Sequence, residues 1–169
     1  LEMGPLITAI LLAASVGSAM AAELGTMKVQ EELTALNVLS VNVVSYLILP
    51  RVIALTIMTP LLSVLVTWIG TLGGGIVAVS QLGISFEGYT HNSIESMRLM
   101  RDFPPIPKFL FDGLFKATIF GFVTAVVGCA SGMSATNGAQ GVGRTTRAAV
   151  RNAIILIIVL DFYLGKVLM

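Results

Sequence analysis

The chain has 169 residues, of which 56% are hydrophobic and 11% charged, with a net charge of +1. Soluble domains carry roughly 25% charged residues and leave about 30% of their surface exposed on folding at this size, so a mean hydropathy of +0.93 excludes a water-soluble globule and makes lipid the natural solvent. The near-zero charge offers no electrostatic footprint for nucleic acid, and the single Cys129 excludes an internal disulfide framework or a cysteine metal cluster.

A bilayer-crossing helix needs about 20 apolar residues, and the chain supplies four such runs. Span A covers about residues 3–22 and ends at Glu23; no basic region precedes it, so it does not read as a signal peptide. The chain opens on Leu1, which reads as an N-terminally truncated fragment of a longer protein. A polar connection follows from Glu23 to Pro50. Leu24, Met27, Leu33, Leu36 and Leu39 recur there at multiples of three, which predicts an amphipathic helix over Glu23 to Val41. Span B, about residues 51–79, is predicted to be one long or tilted helix, kinked at Pro60 and loosened by Gly73, Gly74 and Gly75.

The second connection, Glu87 to Lys108, predicts a short extracytoplasmic helix. Asn92 and Glu95 have capping-box spacing, Ile94, Met97 and Met100 share a face opposite Arg98 and Arg101, and Pro104, Pro105 and Pro107 end it. Span C covers about residues 109–131. The third connection, Gly132 to Arg147, is rich in Gly, Ser, Thr and Asn and reads as a flexible turn. Span D covers about residues 148–168. The fold class is therefore all-α: one polytopic transmembrane helix bundle over residues 1–169. Five Lys and Arg residues (Lys28, Arg51, Arg144, Arg147, Arg151) flank connections one and three, against four on the other side (Arg98, Arg101, Lys108, Lys166), which places connections one and three in the cytoplasm.

Charges inside spans cost about 2.5–3.5 kcal/mol each at a helix centre, so they mark function or a packing lock. Lys116 lies in span C, Asp112 one turn before it where the two can pair, Asp161 in span D, and Glu2 at the outer end of span A. A polar pathway and a structural ion pair need the same residues, and both readings stand. Gly17 with Ala21, and Gly70 with Gly74, have the four-residue spacing of close helix packing, within the chain or across a homodimer seam. The run Gly138 to Gly143 has the wrong order for a dinucleotide loop, and no Lys-Ser/Thr pair follows it. Catalysis lacks parts: His91 is the sole histidine and sits in a connection, leaving Ser131 without a base. No metal site built on His and Cys is available.

Several stretches in order resemble the MlaE-type permeases, membrane subunits of ABC transporters that work with Mce-domain proteins. They are Leu1-Glu2-Met3-Gly4-Pro5; Ala22 through Glu31, with Tyr46-Leu47 and Pro50 through Ala54; Phe115-Lys116-Ala117 with Phe120-Gly121; and Gly138 through Thr146 with Asp161-Phe162. The sequence departs from the family pattern at Leu1, where Arg is common, at Ala14-Ser15 for Gly-Arg, and at Asn42-Val43 for Asp-Pro.

The resemblance implies a permease that moves lipid, phospholipid in the first instance, in a bacterial inner membrane, with the plastid inner envelope as second choice. It implies an ABC ATPase partner that holds the ATP and Mg, with no cofactor in this chain. It also implies an Mce-domain partner and a second permease copy. The first connection becomes a coupling helix with Glu23, Gly25, Thr26, Lys28 and Glu31 on motif positions. Glu2, Asp112, Lys116 and Asp161 become the charge cluster or cargo pathway, and Gly138, Gly141, Gly143, Thr145 and Thr146 a loop signature. The competing classes are a lipid-modifying intramembrane enzyme and a membrane scaffold. The family carries an interfacial helix and another span before the point where this chain opens.

Overall fold

A computed structural model describes residues 3–83, 85–99 and 108–168. Among them the backbone is helical, joined by short turns, with four rods long and apolar enough to cross a membrane: Met3–Val29, Val44–Gln81, Asp112–Met133 and Gly138–Lys166.

The first rod is α1 (Met3–Leu12), a π-helical turn (Ala13–Gly17) and α2 (Ser18–Val29). It continues past Glu23, where the apolar run stops, because nothing in Glu23 to Val29 breaks a helix and Leu24 and Gly25 are buried against neighbours. The break comes at Glu31, held in the left-handed region at φ 61°, after which α3 (Glu32–Val38) turns away. The single amphipathic helix expected over Glu23 to Val41 is therefore two helices, the first belonging to span A. Of the leucines that suggested it, Leu24 faces the bundle from α2 and Leu33 from α3.

Asn42 starts the second rod: its side-chain oxygen accepts the amides of Val44 at 3.0 Å and Ser45 at 3.3 Å. A π-helical turn (Val44–Ile48) leads into α4 (Leu49–Leu82). The span thus begins seven residues before the expected Arg51. The helix runs on through Pro60 and the three glycines, and ends where Gly83 adopts φ 63°. In α5 (Phe86–Leu99) the first turn is capped by Ser85, whose hydroxyl accepts the Gly88 amide at 3.1 Å. Asn92 is inside that helix, so the expected capping box does not form, and Glu95 faces His91 one turn back at 3.5 Å. α5 folds onto α4 through Tyr89, whose hydroxyl donates to the Thr71 carbonyl at 3.0 Å. Met100, Arg101 and the three prolines lie outside the described residues.

α6 (Lys108–Met133) and α7 (Gly138–Leu168) are joined by a short reversal in which Asn137 and Gly138 have φ of 62° and 70°. The expected Gly132–Arg147 loop shrinks to that reversal, and Gly138 through Gly143 form the first turns of α7. Gly141 is required there: the Thr136 carbonyl occupies the place of a β-carbon.

α6 is the central helix, in contact with α1, α2, α4 and α7. One core cluster joins Ala9, Ala13, Phe120, Ala153 and Ile157, and a second joins Met20, Leu24, Leu55, Ala125 and Cys129. With so many small residues the cohesion comes from close backbone approach, as expected where lipid gives helices no hydrophobic drive to associate. Gly17 and Ala21 pack on Gly128 and Gly132, so this pair serves intramolecular packing. Gly70 meets nothing within 4 Å, and Gly74 accommodates the Tyr89 hydroxyl at 3.0 Å from its would-be β-carbon. Buried hydroxyls of Thr8, Thr59 and Thr124 donate to carbonyls one turn back at 2.6–2.8 Å, so none is left unsatisfied in an apolar setting. Leu61, Leu65, Trp68 and Ile76 of α4 stand exposed, the face a membrane helix offers to lipid.

Candidate functional site

The residues singled out by sequence gather at the two ends of the bundle. At one end, Lys116 of α6 and Asp161 of α7 approach to 3.8 Å, Nζ to Oδ1, with side chains 4% and 28% exposed. The antiparallel α6–α7 hairpin sets this meeting, about 25 Å along α6 from its end at Met133. Gly165, one turn beyond Asp161, leaves space beside the lysine, its would-be β-carbon 3.7 Å from Nζ. A cation buried this deeply in an apolar bundle needs a carboxylate partner. Among the described residues, the ion pair of Lys116 runs to α7 and not to Asp112 on its own helix, as expected from spacing. Glu2 lies outside the described residues.

The other end joins the α2–α3 segment to the α6–α7 turn. Glu23 pairs with Arg51 at 3.0 Å, which ties the lower part of span A to the start of span B. Gly25 lets α2 touch the α6–α7 corner, with its would-be β-carbon 3.2 Å from Ala135 and 3.4 Å from Val142. Lys28 donates to the Met133 carbonyl and so caps the C-terminus of α6, where a cation also meets the negative end of the helix dipole. Thr26 is exposed and bonds its own helix at the Ala22 carbonyl, 2.8 Å away. Glu31 is exposed at the hinge between α2 and α3. Three of the five expected coupling residues therefore tie α2 to neighbouring helices, while Thr26 and Glu31 stand exposed on α2 and at the hinge.

The expected loop signature lies beside them. Val142, between Gly141 and Gly143, is the residue that meets Gly25. The hydroxyls of Thr145 and Thr146 bond back to the Val142 carbonyl at 3.0 and 2.8 Å, so they are satisfied within α7. Gly138 and Gly143 have open space around them.

The braces bring α2, α4, α6 and α7 to one point from which α3 projects. Sequence reasoning missed Arg51 as the partner of Glu23 and Gly165 as the neighbour of Lys116. A lone cation heading a long uncharged run was the available signal for Arg51. For Gly165 the signal was its place one turn after an intramembrane acid.

Likenesses to known proteins bear on this arrangement. A family model described as Permease MlaE matches residues 1–167. The chain is 38% identical over 164 residues to a protein of Synechocystis sp. named probable ABC transporter permease, covering 97% of this chain and 59% of that one. It is 34% identical over 165 residues to the chloroplastic protein Trigalactosyldiacylglycerol 1 of Arabidopsis thaliana, covering 98% and 45%. It is 30% identical over 167 residues to the intermembrane phospholipid transport system permease protein MlaE of Haemophilus influenzae, covering 99% and 61%. The chain thus spans about 60% of the length of the bacterial relatives.

Proposed function

This chain belongs to the MlaE permease family, and from that premise we propose that it is a membrane-domain part of an ATP-driven phospholipid transporter. Phospholipid as cargo is supported by the name of the Haemophilus influenzae relative. ATP and Mg reside on a partner ATPase, an Mce-domain protein receives or delivers the lipid, and a second permease copy completes the pathway. The α3 end faces the cytoplasm, in keeping with Lys28, Arg51, Arg144, Arg147 and Arg151 at that end. The membrane is a bacterial inner membrane.

One observation carries the coupling part of this reading. α3 leaves the bundle at the Glu31 hinge and presents Val38 and Leu39, 80% and 71% exposed, between the two apolar spans. Apolar side chains at a short helix beside Glu31 and Glu32 suit a groove on a partner protein. A push on α3 enters α2 through the hinge. From there it reaches α4 through Glu23–Arg51, α7 through Gly25 and α6 through Lys28, shifting the helices between two packings. Lys116 and Asp161, at the far end, form the polar lining that receives or releases the headgroup.

The test is the pair of substitutions Val38→Glu and Leu39→Glu in the full-length permease. Membrane insertion and thermal stability stay at wild-type level, while ATPase co-purification and lipid transfer between vesicles fall at least tenfold. Undiminished co-purification would overturn docking at α3.

A further inference from the structure

The first turns of α7 carry a feature that the coupling reading leaves unused. Arg144, Arg147 and Arg151 follow one another at intervals of three and four, so they form a single row along the helix. All three are exposed. Among the described residues no carboxylate pairs with any of them. The Nε of Arg147 bonds the Gly143 carbonyl at 3.2 Å, and that of Arg151 the Asn152 side chain at 3.4 Å. α7 holds one acidic residue, Asp161, and Lys116 is its partner.

The same row continues into the membrane. Ile155, Ile158 and Phe162 extend it at the same helical spacing, and all three are exposed. One face of α7 is therefore apolar and exposed along its middle and cationic at its head. α7 is 31 residues long, about 46 Å, which exceeds a hydrocarbon core of about 30 Å by roughly the depth of two headgroup layers. The three arginines span about 10 Å. Counting a hydrocarbon core of about 30 Å back from Leu168 brings its edge to about residue 148, which puts Arg151 near the acyl boundary and Arg147 and Arg144 in the headgroup layer beyond it.

We propose that this face is a binding site for anionic phospholipid. The arginines hold the phosphate and its net negative headgroup, and an acyl chain lies along Ile155, Ile158 and Phe162. Guanidinium groups grip phosphate oxygens bidentately, and basic clusters beside a span attract anionic lipid. A protein partner does not fit as well: to reach Arg151 it would have to enter the acyl boundary, and the row passes without a step into lipid-facing surface. The lipid bound here is a resident one, separate from cargo at Lys116 and Asp161.

The experiment uses the full-length permease in nanodiscs of equimolar phosphatidylglycerol and phosphatidylcholine. Lipids retained after extraction are counted by native mass spectrometry. Each basic residue near an anionic surface is worth roughly fivefold in affinity, so the wild type prefers phosphatidylglycerol by on the order of a hundredfold. In R144Q/R147Q/R151Q that preference collapses to within a few-fold of unity. Arg151→Gln alone lowers it about fivefold, and the triple lysine variant keeps most of it. Equal preference in the wild type and the triple glutamine variant overturns the site. So does a wild type with no preference. Loss of ATPase co-purification with the lipid preference intact would assign the row to protein docking instead. Neither ATPase activity nor lipid transfer enters the lipid count, so failure here leaves the transporter reading standing.

Discussion

The Gly17 carbonyl oxygen lies 3.0 Å from the place a β-carbon on Gly128 would take, and one turn on, that of Ala21 lies 2.9 Å from the equivalent place on Gly132. At Gly128 the opposing atoms are all backbone, and at Gly132 the Leu24 β-carbon stands as close as the carbonyl, so none of them has a rotamer to give. Overpacking a crossing of this kind costs about 1–3 kcal/mol. Gly132→Ala is therefore expected to destabilise the bundle by that amount in a detergent unfolding titration. Gly70→Ala is the control, since nothing stands within 4 Å of its added methyl. There helix propensity alone acts, and the substitution is neutral or stabilises by up to about 1 kcal/mol. Equal stability of both variants would show that the α2–α6 crossing has room for a methyl group at Gly132.

The Lys116–Asp161 pair gives a second test, through a double-mutant cycle. Removing one partner of a buried pair takes its attraction from the other charge in an apolar setting, at a cost of about 3–5 kcal/mol. Lys116→Met and Asp161→Asn should each destabilise strongly, the lysine variant somewhat less because Asp161 is partly exposed. The double variant should be closer to wild type than the sum of the two. Additive losses would mean that the two charges are not coupled. Lipid transfer measured on the double variant separates the two roles. Stability regained with transfer lost assigns the pair to cargo, and transfer at wild-type rate assigns it to packing.

Lys116 and Asp161 were legible in the sequence because a charge in an apolar run has few physical excuses. Their pairing was not, since Asp112 at one turn's distance looked like the nearer partner and only the α6–α7 hairpin decides otherwise. The four spans were legible from hydropathy, and so were the bounds of span C, while the end of span A and the starts of spans B and D were misplaced. Glu23 looked like a terminus, yet a polar residue on a helix does not stop it when its neighbours Leu24 and Gly25 are buried. Gly132 to Arg147 looked like a loop because Gly and Ser mark loops in water. In a membrane bundle the same residues permit close approach, as Gly132 does at Ala21 and Gly141 at Thr136. The Glu31 break had no signal at all, because glutamate is not a residue type that favours the left-handed region.

The Glu23–Arg51 pair yields a third prediction, in which magnitude separates structure from coupling. Glu23 is 62% exposed and Arg51 23%, with 3.0 Å between them. An exposed pair of this kind contributes about 0–1 kcal/mol. Glu23→Gln should thus barely change the unfolding midpoint. If the pair transmits motion from α2 to α4, the same variant should lower ATPase-driven lipid transfer several-fold while ATPase co-purification stays intact, since α3 is untouched. The charge swap Glu23→Arg with Arg51→Glu restores the attraction with its sign reversed, and transfer should recover in part. Arg51→Glu alone puts two carboxylates together and should be the worst of the three. Transfer at wild-type rate in Glu23→Gln would reduce the pair to a surface contact and leave Gly25 and Lys28 as the braces through which α3 acts on the bundle.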